Sequence, residues 1–165
     1  MRMKITRIII LGVSLLGTNL PLNASPILLA QSSCQATVNG VIREINRKGV
    51  RAVNLRVYQG RANDSNYGNP TNRTDEIWIV MGSSNSSDNE RHRITDILYS
   101  TVLMNSWANT IVKECGNTAV VSFALTHSGW NESYAIQADG STAPRDCREP
   151  GYATGRLAWD EGYCT

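Results

Sequence analysis

His92, His127, fourteen carboxylates and four cysteines are the side chains of this 165-residue chain that could perform acid–base, nucleophilic or metal chemistry. His92 sits between Arg91 and Arg93 in what reads as the first turn of a helix, where two cations and the positive helix end oppose its protonation. It could serve as a neutral base, but an exposed helix position is the simpler reading. His127 adjoins Ser128 at the end of an apolar strand. Neighbouring strand residues point to opposite faces, so the pair would not meet as a serine–histidine couple. Glu132, Asp139, Asp160 and Glu161 lie in loop-like sequence. Two of them could hydrolyse a glycoside only if set about 5–10 Å apart. No Gly-x-Ser-x-Gly elbow, His-Glu-x-x-His pair or phosphate loop is present. The expectation is a non-enzymatic protein without cofactor or metal. The alternative is a small extracellular hydrolase using Glu132, Asp139 or His127.

Cys34, Cys115, Cys147 and Cys164 are even in number and separated by 81, 32 and 17 residues, with no Cys-x-x-Cys pair. Zinc sites draw ligands from close pairs, so two disulfides are expected, leaving no free thiol nucleophile. Three connectivities are open. The preferred one joins Cys34 to Cys115 in the core and Cys147 to Cys164 across the tail.

The N-terminal segment fixes the compartment. Arg2, Lys4 and Arg7 precede the uncharged run Ile8–Leu16, a basic region followed by a short apolar one. The apolar stretch is broken by Thr18, Asn19 and Pro21, and a membrane span needs about 20 apolar residues. Residues 1–30 therefore read as a signal peptide cleaved after Ala30, with Ala24 as runner-up, and the protein as secreted or periplasmic with no membrane anchor thereafter. Without those residues, 13 basic side chains face 14 acidic ones and the net charge falls from +2 to −1. A near-neutral domain has no surplus cations to neutralise phosphates, which argues against nucleic acid.

The aromatic residues are the remaining candidates for recognition. Trp78 lies in an apolar strand and reads as core, and Trp107, at the helix end, as packed on the barrel. Tyr67, Trp130 and Tyr152 lie in turns or in the tail beside polar residues, where a ring offers apolar area with a polar handle. These three are the candidate binding residues. Trp159 reads as a tail ring folded back to seal the barrel end.

Elements that could position these groups follow from periodicity. Ala36, Val38, Gly40 and Ile42 alternate and predict a long first strand kinked at Gly40. Val53–Val57 and the doubly apolar Ile77–Met81 predict a second and a central third strand, separated by a polar loop over 60–74. Ser87 and Glu90 form a capping-box signature opening one helix over 89–107, ended by Asn109. Short 110–112, then 119–125 and 134–136, predict further strands, with 141–165 an irregular, disulfide-tied tail. The fold class is thus mainly β with one helix. A small antiparallel OB-like barrel over 31–140 is preferred, and an open antiparallel α+β sheet with one packed helix is the alternative.

The run RHRITDILYSTVLMNSWANTIVKEC, within Glu76–Ala124, resembles the B subunits of AB5 toxins, the subtilase-cytotoxin group in particular, in element order, helix register and a cysteine shortly after the helix. The resemblance implies a secreted OB-fold, a homo-oligomeric ring and recognition of cell-surface glycans; it transfers no individual binding residue. The expected function is a secreted binding module for a glycan or protein partner.

Overall fold

A computed structural model describes residues 26–149 and 155–163. In chain order these form α1 (Pro26–Arg47), β1 (Val53–Tyr58), α2 (Arg61–Ser65), β2 (Asn66–Tyr67), β3 (Asp75–Met81), α3 (Asp88–Tyr99), α4 (Thr101–Glu114), β4 (Thr118–Leu125), β5 (Asn131–Ile136), β6 (Thr142–Pro144), β7 (Asp146–Arg148), β8 (Leu157–Ala158) and β9 (Glu161–Tyr163). Residues 1–25, which carry most of the expected signal peptide, lie outside the described residues, as do Tyr152 and Cys164. Cleavage after Ala30 would fall within α1, and cleavage after Ala24 before it.

Five strands build one sheet in the order β1-β3-β4-β5-β6, antiparallel except for the parallel pair β3–β4. A parallel pair needs a crossover connection, and α3 and α4 supply it. The sheet is open, with β1 and β6 at its edges, so no closed barrel is found among the described residues and the single-helix expectation gives way to four helices. The alternative of an open, mostly antiparallel sheet with packed helix is the nearer description.

Alternation along the strands sends Ile77, Ile79 and Met81 of β3, Ala119, Val121 and Phe123 of β4, and Tyr134 and Ile136 of β5 to one buried face. Against it lie Ile94, Ile97 and Leu98 of α3 and Met104, Trp107, Ala108 and Ile111 of α4. Burial, reinforced by the Glu132 charge, pushes the Tyr134 phenol up to about 12.

The expected first strand is instead α1. Cys34, Val38, Val41 and Ile45 recur at spacings of four and three, one face of a helix packed on α4, while Ala36 is exposed. Every second residue of the same stretch also alternates, and that shorter period misled the strand reading. Cys34 and Cys115 form the expected disulfide, with Cα atoms 4.6 Å apart, tying α1 to the end of α4. Beside it, Trp107 donates its indole N–H to Glu44 Oε2 at 2.7 Å.

The predicted helix over 89–107 becomes two. Ser87 Oγ accepts from the Glu90 N–H at 3.3 Å, as its capping signature requires. The Glu90 carboxylate does not return to Ser87 but accepts from the Arg51 N–H at 2.6 Å, which holds its pKa below the ordinary value. Ser100 interrupts the stripe between α3 and α4. α4 then runs through Thr110–Val112, expected to be a strand. Asn109 does not end it; its Oδ1 accepts from the Thr142 N–H at 2.7 Å and anchors β6 to the helix. Gly82 follows β3 at φ 87°, where a Cβ would lie 3.0 Å from Ile94 Cδ1, so the turn into the α3 loop requires glycine.

The tail is not irregular either. β6 extends the sheet, β7 pairs with β9 and β8 with β2, both in parallel. Buried Asn66 donates to the Ala158 and Glu161 carbonyls at 2.7 and 3.0 Å, and Arg156 donates to the Asn66 carbonyl. Cys147 is disulfide-bonded.

Candidate binding groove

The opposite face of the sheet carries a different chemistry. Register places Arg56, Trp78, Ser122 and Ser133 in one row across β1, β3, β4 and β5, with Tyr58, Glu76, Val120 and Ala135 in the next. Arg61 of α2, Arg145 between β6 and β7, Leu157 of β8 and Tyr163 of β9 rise beside these rows. Of these, Glu76, Trp78, Val120 and Ser133 of the sheet, with Arg61, Arg145, Leu157 and Tyr163, line a cavity of about 270 Å³.

Glu76 is buried, and both its oxygens are engaged. Oε1 accepts from Ser122 Oγ at 2.9 Å, and Oε2 faces Arg61 Nε at 3.2 Å. Ser122 Oγ lies 2.8 Å from Ser133 Oγ, extending a hydrogen-bonded chain from the carboxylate towards β5. Arg61 stacks over two rings, with its guanidinium carbon 4.6 Å from the Tyr58 centroid and 5.6 Å from that of Trp78. Tyr58 and Trp78 themselves meet edge to face at 6.3 Å.

Two polar atoms in these walls have no acceptor. Among the described residues, Trp78 Nε1 and Arg145 Nε are the buried side-chain nitrogen or oxygen atoms without a hydrogen-bond partner. The other three tryptophans all donate: Trp107 to Glu44, Trp130 to Glu132 Oε1 at 2.9 Å, and Trp159 to the Ile136 carbonyl at 2.7 Å. An unmade buried hydrogen bond costs about 1–3 kcal/mol, so each orphan favours any ligand that supplies an acceptor. Arg145 donates through an Nη atom to the Glu161 carbonyl but forms no ion pair among the described residues. Burial pulls its pKa below the ordinary value, with the charges of Glu76 and Asp160 opposing that shift.

The sequence candidates fall around this groove rather than in it. Trp130 is half-buried, packs edge-on against Tyr99 at 5.0 Å and lines an adjoining cavity of about 250 Å³ that shares Asn131, Ser133, Arg145, Gly162 and Tyr163 with the first. Tyr67 is exposed on β2 and does not line the groove. Tyr152 lies outside the described residues. Trp78, expected in the core, is half-buried in the groove wall, while Trp159 is buried as expected.

The residues of the hydrolase alternative do not converge. Glu132 holds Trp130, Asp139 accepts from Ser141 Oγ at 2.7 Å in a different region, and His127 is exposed in the turn after β4 at φ 54°. Ser128 Oγ is committed to that turn, donating to the Leu125 carbonyl and accepting from the Trp130 N–H. His92 is exposed on α3. No group of His, Cys, Asp and Glu suited to a metal ion is found among the described residues.

Sequence reading missed Arg61, Glu76, Ser122 and Arg145. Ser122 and Glu76 did leave a signal, a polar residue within or beside an otherwise apolar strand. No helix among the described residues is long and apolar enough to cross a membrane. No protein family, curated protein or solved structure matches this chain.

Proposed function

We propose that this chain is an exported, non-enzymatic binding module that takes a polar ligand, a glycan or a polar segment of a protein partner, in the groove on the free face of its sheet. One observation carries the reading: of four tryptophans, the one whose buried indole N–H lacks an acceptor lines a concave site furnished with two arginines and a carboxylate. Polar groups of a few kinds converging in a cavity are the usual make-up of small-ligand sites. The core disulfide supports export, because such bonds persist in oxidising compartments. The setting of Glu76 supports binding over hydrolysis, since among the described residues no second carboxylate and no histidine lines the groove to act as its acid or base partner.

A glycan array probed with the exported protein tests this reading. Retention on a subset of glycans, lost in Trp78→Phe, is expected. A blank array together with turnover of a polysaccharide or ester that Glu132→Gln or His127→Ala abolishes would overturn it in favour of the hydrolase.

A further inference from the structure

Resting on the groove reading, we propose that the groove seats a hydroxylated monoanion, a sugar-acid-like hydroxycarboxylate, with its carboxylate at Arg145 and Trp78 and its hydroxyls at Glu76 and Ser133. Three features of the cavity select this class. Its two unpartnered atoms are both donors, so the missing partner is an acceptor. Its two arginines differ: Arg61 is in ion-pair contact with Glu76, whereas the charges of Glu76 and Asp160 reach Arg145 only from beyond ion-pair distance, which leaves it the arginine without a directly paired anion among the described residues. A neutral ligand would satisfy the hydrogen bonds of Arg145 but not its charge.

Glu76 then limits the charge and adds a polar requirement. A dianion such as sulfate would face the Glu76 carboxylate across the same small space, where like charges repel more strongly than in bulk water. Glu76 has accepted one hydrogen bond and one ion-pair contact, and a carboxylate has about four lone-pair sites. Ligand hydroxyls can fill the remainder, and the Ser133 hydroxyl offers a further partner at the β5 side. The volume of about 270 Å³ falls just short of the ~300–1,000 Å³ typical of drug-sized sites, which suits a single small acid.

The two orphan nitrogens are shielded in this structure. Arg61 lies over the Trp78 ring, and both it and Tyr163 line the cavity with side chains substantially exposed to solvent, so a ligand that reaches the two nitrogens requires side chains of this wall to shift.

The indole ¹H–¹⁵N resonances of the full disulfide-bonded protein provide the test, with D-glucuronate, D-glucose and sulfate titrated at constant ionic strength. Glucuronate is expected to move the Trp78 resonance saturably and leave Trp107 and Trp159 in place. Glucose and sulfate are expected to bind at least tenfold more weakly. Trp78→Phe and Arg145→Lys, two variants that fail to fold for different reasons if they fail at all, are each expected to weaken glucuronate at least tenfold by calorimetry. Glucose binding as well as glucuronate overturns the anion seat and leaves the groove reading standing. Sulfate binding as well as glucuronate overturns the role of Glu76 and the ligand hydroxyls. A Trp78 resonance unmoved by all three, with array binding indifferent to Trp78→Phe, overturns both readings.

Discussion

Arg61 Nε stands 3.2 Å from Glu76 Oε2 while its guanidinium lies over the rings of Tyr58 and Trp78. This one contact joins the short helix α2 to the central strand β3 and fixes the charged wall of the groove. The partners are unequally buried, since Arg61 retains 44% of its side-chain exposure and Glu76 only 8%. Solvent therefore screens the arginine far better than the carboxylate.

Removing the arginine and removing the carboxylate should differ accordingly. Arg61→Ala leaves Glu76 buried with only Ser122 to hold it and is expected to cost about 2 kcal/mol, below the range for fully buried pairs. Glu76→Gln keeps an acceptor for Ser122 and leaves a cation that water can reach, and is expected to cost about 1 kcal/mol. Urea unfolding of the two variants checks the order.

The disulfide should be the largest single contribution to stability. Cys34 and Cys115 close a loop of 81 residues. Chain-entropy arguments assign a closure of that length about 4–5 kcal/mol. The Cys34→Ser, Cys115→Ser double variant is expected to unfold at markedly lower urea, with a loss in that range or somewhat below it.

Trp107 tests the same α1–α4 contact without touching the cysteines. Trp107→Phe keeps a ring against Phe123, now 6.0 Å from it, but removes the donor to Glu44. A loss of about 1–2 kcal/mol is expected from the hydrogen bond and the smaller ring. A Glu44→Gln variant should recover much of the wild-type stability, because the amide oxygen can still accept. Thermal unfolding of the two variants provides the comparison.

Glu90 gives a pH signature. Its folded pKa lies below the ordinary 4.5, chiefly because it accepts the Arg51 N–H. The stabilisation is therefore present above the unfolded value and is lost as pH falls through the folded one. Wild type should lose more stability than Glu90→Gln as pH falls from neutral to 3, by a modest amount because the carboxylate lies near solvent. Unfolding curves across that range measure it.

Legibility in the sequence followed how local each signal was. The strict alternation of Ala119, Val121 and Phe123, the apolar block Ile77–Met81 and the Ser87 half of the cap depend on near neighbours, and each appears where expected, whereas the Glu90 carboxylate turns to the distant Arg51 N–H. In α1, Val38, Val41 and Ile45 share a stretch with an equally regular alternation, and only packing on α4 selects the helical period. The β-branched triplet Thr110–Val112 favours a strand by itself, but the buried Ile111 and Val112 continue the α4 stripe. The groove was least legible. Arg61, Glu76 and Ser122 come from α2, β3 and β4 and Arg145 from the link between β6 and β7, and the meeting of Glu76 with Ser122 depends on the crossover that makes β3 and β4 parallel neighbours. The tail strands are two or three residues long, too short to show a period, and β7, β8 and β9 form by pairing with segments that are not adjacent in the chain or not in the tail at all.

The most direct measurement of the central claim is the Trp78 indole ¹H–¹⁵N chemical shift on addition of a ligand that the exported protein retains on the array. A saturable displacement of that resonance, with Trp107 and Trp159 unmoved, is the result predicted. Saturation of binding with the Trp78 resonance unchanged would contradict the placement of the binding site in this groove.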